Sequence, residues 1–163
     1  MNYIRDISDE QLIQGKFVEN IFKTKLREYF NTAEVVDATP EQDMNEHWDI
    51  QVNLKFDVKG LKKVRRNDNK TDENFHYIEL KNVQGKTGWL YGEATHFSFE
   101  TDDYWIIVEK SALQEFIKIK CKEKIKCTVP TLYQLYTRKN RKDVIVLVKT
   151  IDLMAIANFI INK

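Results

Sequence analysis

The run Trp48-Asp49-Ile50-Gln51-Val52-Asn53-Leu54-Lys55-Phe56-Asp57-Val58-Lys59 constrains this chain most, because its apolar residues recur with a period of two. Side chains two apart share one face of a strand, so Asp57 and Lys59 point one way while Phe56 and Val58 point the other. A strand with one polar and one apolar face is half buried, and it needs a sheet with something packed on it. Asn53-Leu54 reads as a tight turn joining strands over 49–53 and 55–64, which brings Asp49 towards Asp57. Two carboxylates on one spot repel, and one takes up a proton unless a cation lies between them. Hard carboxylate oxygens suit Mg²⁺ or Mn²⁺. A lysine beside such a pair can orient or deprotonate a water, or stabilise charge developing on a phosphate.

The rest of the chain supplies the covering layers. Ser8-Asp9-Glu10-Gln11 has the form of a capping box, so a helix is expected from Ser8 to about Asn31. Leu12, Ile13, Phe17, Val18, Ile21, Phe22, Leu26, Tyr29 and Phe30 follow at helical spacings. Glu19 lies along this mostly apolar stripe, and an acid there has either a partner or a job. Residues 33–46 are acidic and polar and read as a loop with a short strand at 34–36. A third strand of a meander is expected over 75–83 after a solvated loop at 65–74, and Gln84-Gly85-Lys86-Thr87-Gly88 as a glycine-hinged turn. Trp89–Phe99 is left open between helix and strand. Tyr104–Val108 is expected as a buried strand, and Ser111 as the cap of a helix over 112–122. Strands over 131–138 and 144–149 flank a turn at 139–143, and a helix over 151–161 closes the chain. This order predicts an α/β fold in a single domain, 1–163, with a central mixed sheet flanked by helices.

The charge balance narrows the partners. With 26 Lys and Arg against 25 Asp and Glu, bulk charge cannot hold nucleic acid, so local clusters must. Lys62, Lys63, Arg65 and Arg66 follow Lys59 and would rim the acid–lysine pair. Lysines alternate with apolar residues from Lys118 to Lys126, and Arg138, Lys139, Arg141 and Lys142 cluster in the late turn. Each cluster alone is ordinary solvated surface; together they could form one positive face. Gln84 and Lys86 could touch a phosphate backbone from the turn, and Trp89 and Tyr91 could stack on bases or simply pack. That turn lacks the spacing of a nucleotide phosphate loop. Cys121 and Cys127 form neither a CxxC pair nor a disulfide framework, and two reduced thiols of a cytoplasmic protein are expected. His47, His76 and His96 are too scattered for zinc, although His47 stands near Asp49. No apolar run is long enough to span a membrane.

A helix with an inward acid, then an Asp, then Asp-x-Lys on the next strand resembles the PD-(D/E)XK nuclease superfamily, over roughly residues 8–110. The resemblance implies a restriction-endonuclease-like fold and a metal-dependent endonuclease acting on DNA with Mg²⁺ or Mn²⁺. It places Glu19 at the helix position, Asp49 at the first acid, and Asp57 with Lys59 at the acid-x-lysine pair. The main-chain carbonyl of Val58 would help to hold the metal. The sequence departs from the usual form in having Trp48 where a proline commonly precedes the first acid. Ile78-Glu79-Leu80-Lys81 repeats the half-motif, so Glu79 with Lys81 is a rival second half, or Glu79 a further metal or water ligand. The 84–92 tract is similar to sequences of phage and bacterial members, which suggests the cytoplasm of such a host. Dimerisation is expected if both strands are cut. The alternative is an inactive protein of the same fold that binds nucleic acid or a protein partner.

Overall fold

Two sheets, rather than one, organise the chain. The computed structural model describes residues 9–30, 35–52, 54–63, 70–127 and 129–163. Helix α1 spans Asp9–Phe30, β1 Val36–Asp37, α2 Pro40–Glu46, β2 Ile50–Gln51 and β3 Lys55–Lys59. Strand β4 (Phe75–Lys81), a 3₁₀ turn (Trp89–Tyr91), β5 (His96–Glu100), β6 (Tyr104–Glu109) and α3 (Lys110–Lys120) follow. The chain continues through β7 (Lys122–Cys127), β8 (Gln134–Tyr136), β9 (Val144–Lys149), α4 (Thr150–Ala155) and β10 (Phe159–Asn162). One sheet is six-stranded in the order β1-β2-β3-β5-β6-β10, and the other is four-stranded in the order β4-β9-β8-β7. Both are mixed, since β3 runs parallel to β5 and β7 parallel to β8.

Period-two patterning explains which face of the first sheet is covered by what. Phe56 of β3 and Trp105 and Ile107 of β6 turn towards α1, where Phe22 and Leu26 are fully buried against them. Phe97 and Phe99 of β5 and Ile106 and Val108 of β6 turn the other way, into a larger core shared with Ile78 of β4, Val146 and Val148 of β9, and helices α3 and α4. Burying Phe22 and Leu26 stabilises the α1 layer by roughly 2–3 kcal/mol each. Ile13 and Phe17 belong to the same sequence stripe yet are exposed, while Tyr29, half exposed, stacks on Phe159 of β10 with ring centroids 5.5 Å apart. None of the helices among the described residues is long and apolar enough to cross a membrane.

Several expectations are corrected. The expected three-strand meander does not form, because β4 leaves β3 and pairs antiparallel with β9, while β5 takes its place beside β3. Local alternation makes β4 a strand but says nothing of its partner, and a long connection after Lys59 frees it to cross to the second sheet. Residues 40–46, expected as a connection, are helix α2, capped by Thr39 with Pro40 in its first turn and Gln42 completing a capping box. Helix α3 starts one residue before Ser111, with Glu109 as N-cap, and the Ser111 hydroxyl donates to Glu109 at 2.6 Å. The expected last helix stops at Ala155, and Phe159-Ile160-Ile161 forms strand β10 on the edge of β6. Asn158 fixes that change, its N–H donating to the Ile107 carbonyl at 2.8 Å and its side-chain oxygen accepting from the Glu109 N–H at 2.7 Å. Trp89–Phe99 resolves into the 3₁₀ turn and β5. Ser8, Asn53, Arg65 and Arg66 lie outside the described residues.

Candidate functional site

Asp49 is placed by an unfinished ladder. Strand β2 has only two residues, paired to Lys55 and Phe56, so it ends before Val58. A residue's N–H and C=O leave a strand on the same side, so both Val58 groups face the edge that β2 vacates. The Asp49 carboxylate fills that edge and accepts the Val58 N–H at 2.7 Å, while its own N–H donates to the Phe56 carbonyl at 2.8 Å. Burial raises the Asp49 pKa, opposed by the Lys59 charge and the Val58 N–H and reinforced by Asp43.

Asp57, itself buried, stands near it on β3, on the face opposite Phe56. One of its oxygens pairs with the Lys59 ammonium, and the other, Oδ2, is buried with no hydrogen-bond partner among the described residues. Burial pushes its pKa up to about 7, with Lys59 pulling it down and the Asp49 charge pushing it further up. Lys59 is held from its other side by the Trp89 ring, 4.3 Å from Nζ to the centroid, a cation–π contact at the rim of the core. Trp89 itself packs on Phe97 and Phe99, with centroids 4.9 and 6.4 Å away. Packing is thus its observed use, and its face also fixes the lysine.

Glu19 reaches this neighbourhood from α1. Its pKa is raised by burial, lowered by a hydrogen bond from Lys16 at 2.7 Å, and raised again by the charge of Asp49. The same helix packs on the strand end, since Val18 lies against Gly60. Glu19, Asp49, Asp57 and Lys59, which the sequence placed together, are therefore electrostatically joined through Asp49 and Lys59. Glu79 is placed differently: it sits on β4 in the second sheet, opposite Ile145, and its link to the site is Lys62, whose charge feels both Asp57 and Glu79. Lys81 lies at the end of β4, exposed and bridged to Thr87, so the rival pairing of Glu79 with Lys81 does not continue the β3 face. Lys63 is exposed, and Gln84 and Lys86 lie on the turn that leads into Trp89.

Two participants escaped the sequence reading. Asp43, in the first turn of α2, adds its charge to Glu19, Asp49 and Asp57, and the Thr39-Pro40-Glu41-Gln42 box could have announced its helix. For Trp89 the sequence offers stacking on bases or packing, and its place under Lys59 depends on the tertiary fold. His47, near Asp49 in sequence, is the left-handed C-cap of α2, with φ of 56°. Among the described residues no three His, Cys, Asp or Glu side chains form a group that could hold a metal ion. The donor set offered to a cation is instead two carboxylates, Asp49 and Asp57, and the Val58 carbonyl. Comparison with protein-family models, with curated proteins and with solved structures gives no match.

Proposed function

We propose that this chain is a metal-dependent phosphodiesterase of the PD-(D/E)XK type with a restriction-endonuclease-like core, acting on DNA with Mg²⁺ or Mn²⁺. One observation carries the reading: Asp57 Oδ2 is buried, with no hydrogen-bond partner among the described residues, near the half-buried Asp49 carboxylate. An orphaned buried oxygen costs about 1–3 kcal/mol, more when charged, and that cost disappears if a cation binds it. Burial raises the pKa of both acids, and for Asp57 the neighbouring Asp49 charge adds to it, so a cation between them would favour both carboxylates. The oxygens are hard donors, so the residues fit Mg²⁺ or Mn²⁺ better than a softer metal. The order of α1, Asp49, Asp57 and Lys59 along the chain also agrees with the resemblance.

In this reading Asp49, Asp57 and the Val58 carbonyl hold the cation, which when bound would polarise a phosphate oxygen and acidify a water. Lys59, steadied between Asp57 and Trp89, orients the attacking water or meets negative charge growing on the phosphate. Glu19, whose proton affinity burial has raised, supports from the helix as a proton acceptor. Lys62 and Lys63 attract the substrate backbone, and Glu79 acts through Lys62 rather than on the metal. A second reading, an inactive protein of the same fold, is favoured by a donor group that among the described residues holds two carboxylates and not three. Calorimetric titration with Mn²⁺ separates them: site-specific heat that Asp49→Asn abolishes supports the enzyme, and no such heat in the unaltered protein supports the binder.

A further inference from the structure

Two turns at one end of the second sheet are built to stay together. In the first, the Asn82 side-chain oxygen accepts the N–H groups of Gln84 and Lys86, both at 3.0 Å, and Gly85 takes a φ of 82° that suits glycine. In the second, the fully buried Asp143 accepts the Arg138 N–H at 3.0 Å and pairs with the Arg138 guanidinium, while Asn140 takes the left-handed conformation. The turns close on each other through the Lys142 N–H, which donates to the Val83 carbonyl at 3.3 Å, and through Gly85, whose α-carbon leaves no slack against Lys142.

The charge on this lobe is one-sided. Lys86, Arg138, Lys139, Arg141 and Lys142 are all exposed, and Asp143, the sole acid within 82–88 and 137–143, is buried beneath and committed to Arg138. Lys86, Lys139, Arg141 and Lys142 make no ion pair among the described residues, in a chain whose formal charge is only +1. Such clustering, in a protein without bulk charge to spare, is the footprint of polyanion binding. Position then selects the polyanion. The first turn runs directly into Trp89, the residue under Lys59, and Lys62 feels both Lys59 and Arg138. The lobe therefore continues the rim of the acid–lysine site, and a phosphodiester strand crossing one meets the other.

We propose that the paired turns 82–88 and 137–143 form a docking surface for the nucleic-acid backbone, which lays the strand across the Lys59 end of the site. The proposal rests on the nuclease reading for the path of the strand, and not for binding as such. The test is fluorescence anisotropy with labelled single-stranded and duplex DNA, in EDTA, on the Asp57→Asn protein so that no cleavage intervenes. Adding Lys139→Gln, Arg141→Gln and Lys142→Gln should weaken binding at least tenfold and flatten the slope of log affinity against log salt by about 2 to 3, near one counterion per lost contact. Arg141→Gln alone should flatten it by roughly 0.7–0.9, which preserves the test if the triple variant misfolds. Unchanged affinity and slope would overturn the proposal. So would an equal loss in a Lys118→Gln/Lys120→Gln control on α3, or binding of poly-glutamate but not DNA to the parent. If the lobe binds as expected while Mn²⁺ gives no heat and no DNA is cut, the nuclease reading fails and the docking surface stands.

Discussion

Replacing Asp57 by Asn should stabilise the protein at alkaline pH and leave it nearly unchanged at acid pH. The carboxyl is 4% exposed, and burial raises its pKa from 3.8 to about 7 in the folded state. The sign follows from proton binding: with a raised folded pKa the native state holds the proton more tightly, so stability is greatest below the unfolded value and is lost as pH rises towards 7. A shift of that size corresponds to about 4 kcal/mol. Urea unfolding of parent and Asp57→Asn from about pH 4 to pH 8 measures it, and taking the difference removes every other titrating group. The difference should grow steadily in favour of Asn across that window. Mn²⁺ at about a hundred times its dissociation constant should then restore roughly 2.7 kcal/mol to the parent and nothing to the variant. A difference that stays flat with pH would refute the claim that a buried, under-partnered carboxylate sits at this point of β3.

His76 should behave with the opposite sign: buried against Phe99, its pKa is depressed to about 4, so stability is full above 6.5 and falls by up to about 3 kcal/mol as pH drops from 6.5 to about 4. His76→Phe should abolish that acid loss in the same urea series, and an unchanged slope would contradict it. Gly88→Ala should cost about 1–3 kcal/mol or more, because a Cβ there would stand 2.7 Å from the Leu80 carbonyl carbon, backbone that cannot yield without parting the Lys81–Thr87 bridge. A midpoint within error of the parent would show that the turn has slack. Thr39→Ala should lower stability by about 1 kcal/mol through loss of the α2 cap, read in the same way.

How much of this was legible in the sequence depends on whether the signal was local. Asp57 and Lys59 could be put on one face because the period of two is written into Lys55–Lys59, and Asp49 could be brought near because a short turn allows little else. The middle of the α1 stripe likewise announced Phe22 and Leu26. What failed was long-range. The alternation in β4 reads the same whichever sheet it joins, so the second sheet was invisible and Glu79 was expected at a cleft it reaches only through Lys62. Helix α2 has no buried residue, so hydrophobic period was silent there and only its capping box spoke. Phe159-Ile160-Ile161 is too short an apolar run to distinguish strand from helix, and the edge of β6 decided it.

The most direct test of the central claim is cleavage of DNA by the purified chain with Mg²⁺ or Mn²⁺, alongside Asp57→Ala and Lys59→Ala. Activity in the parent that EDTA removes, and that each substitution lowers by about 10²-fold or more, is the predicted result. Full activity in both variants would contradict the assignment of the reaction to Asp49, Asp57 and Lys59.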